Sequence, residues 1–121
     1  MNRTQIIDHQ GKKIFFIDFS DLTSVAEIKK VILDAQKYIC SQPKSSVNTL
    51  TSVEGTHFNN EIKDLFADFL KGNKPFVKAS AIIGISGLKQ IMFNSLMVIS
   101  GRDSHSFSTL DQAKDWLTRQ K

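Results

Sequence analysis

Cysteine is almost absent from this 121-residue chain: Cys40 stands alone, so no intramolecular disulfide can staple the fold, and a reducing compartment is the natural setting. Proline is scarce, with two residues, and glycine is limited to six, which excludes collagen-like and proline-rich disordered chains. No apolar run approaches the roughly 20 residues that a membrane-crossing helix needs. Integral membrane association is therefore not expected, and any contact with a bilayer has to be peripheral or made through a partner. The first residues, MNRTQIIDHQGKK, contain no apolar core of a secretory signal, which points to the cytoplasm.

A strong excess of one charge is also missing. Sixteen basic and 12 acidic residues leave a net charge of +4. Nucleic-acid binding draws on a clustered basic face. Here lysines and acids are interspersed, and only Lys71, Lys74, Lys78, Lys89 and Arg102 are candidates to converge, so nucleic acid is disfavoured as a partner.

What is present is enough for one core. Forty per cent of the residues are hydrophobic and 23% are charged, and 121 residues make a single domain. QIIDHQ and KIFFIDFS flank Gly11-Lys12-Lys13, a hairpin pattern. Ser24 and Glu27 form a capping box, after which Val25, Ile28, Ile32, Ala35 and Ile39 recur at helical spacing until Pro43. SSVNTLTSV alternates as a strand, and Asn59 or Asn60 caps a helix with the stripe Ile62, Leu65, Phe66, Phe69 and Leu70 that closes at Lys71-Gly72.

The run from Phe76 to Ile85 predicts a buried strand, and SGLKQIMFNSLMVIS a helix capped by Ser86. SHSFS is a short strand, followed by a helix opened by Thr109 and Gln112 and carrying Leu110, Ala113, Trp116 and Leu117. The predicted fold is α/β in the order ββαβαβαβα: a mixed, mainly parallel sheet of about five strands with four helices.

Three places invite a chemical reading. Gly84-Ile85-Ser86-Gly87 joins a strand to a helix, where free amides and the helix dipole favour an anion. It lacks both the GxxxxGKS phosphate loop and the GxGxxG dinucleotide loop. Close packing of strand on helix with Ser86 as cap is the favoured reading; the other is a small ligand held at Gly84, Ser86 and Gly87 with Lys89 nearby. In the third helix Leu88, Met92, Ser95, Leu96 and Ile99 share one face while Phe93 and Met97 fall on another. A neighbouring helix accounts for two apolar faces, and so does a homodimer or partner surface built on Phe93 and Met97. His9, His57 and His105 lack metal-ligand spacing, and the scattered carboxylates make no acid/base pair, so neither a metal, a cofactor nor a catalytic residue set is expected.

CSQPKSSV after the first helix, TSVEGTHFN at the end of the third strand, NKPFVKASAIIGISGLK across the fourth, then SGR and the closing LDQAKDWL resemble, over nearly the whole chain, the STAS superfamily typified by bacterial anti-sigma factor antagonists. The resemblance implies a non-enzymatic regulatory module that binds a protein partner through the loop and helix start Thr56, His57, Phe58, Asn59, Asn60 and Glu61. In the antagonists a serine at this helix start is phosphorylated by a partner kinase, and the added charge releases a partner. Asn59 and Asn60 stand where Asp-Ser is expected, so the phosphoserine switch does not carry over. Related arrangements in CRAL-TRIO-like lipid-transfer domains leave an alternative, a small anionic or apolar ligand, lipid-like or nucleotide-like, at the glycine turn.

Overall fold

The hairpin follows from two consecutive residues that adopt positive φ, Gln10 at 51° and Gly11 at 80°, the requirement of a two-residue turn matching strand twist. They join β1 (Thr4–His9) to β2 (Lys12–Asp18) in antiparallel register, with Thr4 opposite Ile17 and His9 opposite Lys12. The computed structural model describes residues 3–85, 88–100 and 104–120.

Three helices open on side-chain caps that the sequence anticipates. Ser24 Oγ accepts from Glu27 N at 3.4 Å and starts α1 (Val25–Ile39). Asn59, rather than Asn60, caps α2 (Asn60–Asn73), its Oδ1 accepting from Ile62 N at 2.9 Å. Thr109 Oγ1 accepts from Gln112 N at 3.2 Å and starts α4 (Leu110–Thr118). Each cap satisfies one amide that the first helical turn leaves without a partner. The remaining helix is α3 (Leu88–Ser100), and Ser86, its expected cap, lies outside the described residues.

After the hairpin come β3 (Val47–Ser52), β4 (Val77–Ile83) and β5 (His105–Phe107), each parallel to its predecessor, so the sheet order is the chain order. The chain is α/β, with a five-stranded mixed sheet and four helices. Parallel strands laid down in sequence by crossovers of one hand place every connecting helix on the same face. Accordingly α1, α2 and α3 share one face with Phe15, Ile17, Val47 and Val53, while α4 covers the other with Ile14, Leu50, Ala81 and Ile83. The alternation of β2 supplies both cores: Ile14 faces α4, and its neighbour Phe15 faces the three-helix layer.

The larger core is aromatic. Phe19, fully buried, meets Phe66 edge-on at 4.8 Å between ring centroids and Phe69 at 6.4 Å. Burying one such side chain contributes roughly 1.5–3 kcal/mol, and edge-to-face pairs add about 0.5–1.5 kcal/mol beyond their area. Polar residues also enter this layer: Thr49 Oγ1 donates to Ser80 Oγ at 3.0 Å, and Ser104 Oγ lies 2.9 Å from the same oxygen.

Candidate functional site

At the carboxyl ends of β2 and β3 two loops are bound into one ridge. Asp21 N donates to Glu54 O at 2.8 Å, His57 N donates to Leu22 O at 3.0 Å, and the Thr56 hydroxyl donates to Phe19 O at 2.7 Å. The crossing point favours glycine. Gly55 has φ 67°, and a Cβ there would collide with the Asp21 carboxylate. Gly84, at φ 92°, lies so close to the next loop that a Cβ would stand 2.5 Å from Glu54 N.

The predicted interaction residues divide into supports and surface. Thr56 is 3% exposed, with its hydroxyl committed to Phe19 O, so it holds the ridge from beneath and cannot itself meet a partner. That corrects its assignment to the contact surface: a short hydroxyl side chain before a helix looks exposed in sequence, but it turns inward to satisfy a buried carbonyl. Phe58 is half-buried and stacks on Phe66 at 5.4 Å. His57, Asn59, Asn60 and Glu61 are exposed along the ridge, with the Asn59 side chain engaged as cap.

Sequence reasoning missed an apolar groove beside this ridge. Between α1 and α2, Ile32, Leu33, Leu65 and Phe69 line a cleft of about 270 Å³ whose rim carries Lys29, Gln36 and Asp68. Leu33 is 65% exposed. Its signal was present: it stands outside the Ile28-Ile32-Ala35-Ile39 stripe, on a helix face otherwise occupied by charged and polar groups.

At the glycine turn the structure separates Lys89 from the role of a free anion partner. Its ammonium donates to Val53 O at 2.9 Å, and the cleft beside it, about 340 Å³, is also lined by Glu54, whose carboxylate opposes an anion. Gly84 serves the close approach of strand ends, and Ser86 and Gly87 lie outside the described residues.

The dimer face expected on α3 is corrected. Phe93 is 7% exposed and Met97 half-buried, and both line a cavity of about 40 Å³ between α2, α3 and the sheet. Met97 Sδ accepts from Ser104 N at 3.3 Å. Among the described side chains of α3, the exposed large apolar ones are Ile91 and Val98, 65% and 83% exposed. Leu96, one turn on from Phe93, is buried beside it and lines the same cavity between α2, α3 and the sheet. The three histidines remain apart: His9 meets Asp115, His105 lies against Trp116, and His57 is on the ridge.

No helix among the described residues is long and apolar enough to cross a membrane. Compared with known proteins, the chain matches no family model, no curated protein and no solved structure.

Proposed function

We propose that this chain is a non-enzymatic, STAS-like interaction module of the cytoplasm that binds a protein partner through the ridge His57–Glu61 and the α1–α2 groove beside it. The groove carries the reading. It has an apolar floor with Leu33 open to solvent and a polar rim, the composition of a protein interface centre and margin. The ridge adds Asn60 and Glu61 at the start of α2, one turn before Leu65, held in a fixed shape by the bonds from Thr56, His57 and Asp21. A surface ordered before binding loses less entropy when the partner arrives.

The partner that fits presents an apolar side chain to the groove and amide or basic groups to Asn60, Glu61 and Asp68. The element order and the resemblance of several phrases to STAS domains support the same function. Affinity capture with the wild-type chain, Asn60→Arg and Leu33→Asp tests the reading. A specific partner should be retained by wild type and lost from both variants while their circular dichroism is unchanged. A partner held equally by all three binds elsewhere, and the reading falls.

A further inference from the structure

Lysines distant in the chain meet at the amino ends of the parallel strands. The segments after α1 and α2 are joined there: Ser45 N donates to Pro75 O, and Ser46 N to Phe76 O, each at 3.0 Å. Gly72 approaches the Gln36 side chain, which would stand 3.8 Å from a Cβ. Lys37, Lys44, Lys71 and Lys74 lie on or beside these joined segments, all exposed. Lys78 joins them through a β-bulge: Val47 pairs with Val77 and Asn48 with Ala79, which leaves Lys78 as the extra residue, exposed.

This end carries more base than acid, and its lysines form no close ion pair. No acid occurs between Asp34 and Glu54 or between Asp68 and Asp103. Among the described residues the ion pairs are Arg3–Asp18 and His9–Asp115, so no carboxylate pairs with any of these lysines. Exposed Asp21 and Glu54 on the crossing loops and Glu27 and Glu61 in the first turns of α1 and α2 lie at the opposite end, whereas Asp8 and Asp115 lie at the amino end of β2, where Asp8 faces Lys13 and Asp115 meets His9. Helix dipoles favour this polarity. The modest net charge hides a basic end.

We propose that this lysine face docks the domain onto an anionic lipid surface. Flexible ammonium groups suit a diffuse field of headgroups, whereas nucleic-acid recognition favours arginine forks and stacking rings. No arginine occurs between Arg3 and Arg102. The rings of this end are turned to the core: Tyr38 stacks on Phe15 at 4.4 Å, and Phe76 packs half-buried against the three-helix layer. Docked through its lysines, the domain directs the His57–Glu61 ridge, at the other end of β3, away from the bilayer and toward a partner.

The test is flotation of the purified full chain with phosphatidylcholine vesicles, with and without an equal part of phosphatidylserine. The chain should float only with phosphatidylserine, and raised salt should release it, since charges are screened beyond about 8 Å at physiological ionic strength. Each lysine removed should lower the partition coefficient roughly fivefold, so Lys71→Ala/Lys74→Ala should lower it about 25-fold. The charge-matched Lys30→Ala/Lys63→Ala, away from this end, should change it less than about threefold. Circular dichroism checks that both variants fold. Absence of flotation at low salt overturns the proposal, as does an equal loss in both double variants. Release of the chain from vesicles by a short RNA or DNA duplex at equal phosphate concentration overturns it in favour of nucleic acid.

Discussion

Thr56 and Phe19 are joined by a 2.7 Å hydrogen bond from the Thr56 hydroxyl to the Phe19 carbonyl, which ties the loop after β3 to the loop after β2. Phe19 is fully buried and Thr56 nearly so, and water therefore has little access to replace the bond. The bond links the aromatic core, through Phe19, to the ridge proposed to meet a partner.

Thr56→Val keeps the shape of the side chain but removes the donor, leaving the Phe19 carbonyl buried without it. The expected cost is about 1–3 kcal/mol of folding stability, read as a lower urea midpoint at unchanged slope. Thr56→Ser keeps the hydroxyl and should lose less. Equal midpoints for wild type and Thr56→Val would show that the bond contributes nothing.

Gly84 presents a sharper constraint than Gly11, although both have positive φ. Around Gly11 the space is open, whereas a Cβ on Gly84 meets Glu54 N at 2.5 Å and Glu54 Cα at 2.8 Å. Gly11→Ala carries only the backbone strain, about 1 kcal/mol, while Gly84→Ala adds a backbone collision and should lose at least about 2 kcal/mol. Comparing the two melting temperatures separates φ strain from crowding, and similar losses would remove the crowding argument.

These cases also mark what could be read from the residues alone. Ser24, Asn59 and Thr109 announce helix starts because capping is local, a side chain bonding to an amide three residues on. The mainly parallel character of the sheet follows from alternation with helices and a fixed crossover hand, whereas the strand order does not, since the same alternation serves several orders. Non-local facts left little trace. Lys37 and Lys44 reach Lys71 and Lys74 only because β3 and β4 pair and their preceding loops bond together, while Lys89, which sequence grouped with the latter, lies at the other end of the sheet. Thr56 and Leu33 fared no better: one polar residue is buried by a carbonyl 37 positions away, and one apolar residue is left over a groove between two helices.

Lys89 spans from α3 to the end of β3, and its ammonium is positioned there by a bond to Val53 O. Lys89→Met retains most of the stem while removing this donor, so stability should fall by about 0.5–1.5 kcal/mol. Inorganic phosphate should shift the melting temperature of wild type and variant alike. A larger shift in wild type would restore the anion reading of the glycine turn, because a ligand that binds the folded form raises its stability.

Phe93 and Val98 test which apolar side chains of α3 belong to the core. Phe93 lies against the cavity shared by α2, α3 and the sheet, and Val98 projects into solvent at 83% exposure. Phe93→Ala removes a ring from a packed layer and should destabilise by about 3–5 kcal/mol. Val98→Ser removes little buried area and should stay within about 0.5 kcal/mol. Urea denaturation of both variants at several protein concentrations also addresses self-association. Were Phe93 at an interface between copies, its loss would show as a dependence of the midpoint on concentration in wild type that disappears in the variant, whereas a core role predicts a large drop at every concentration.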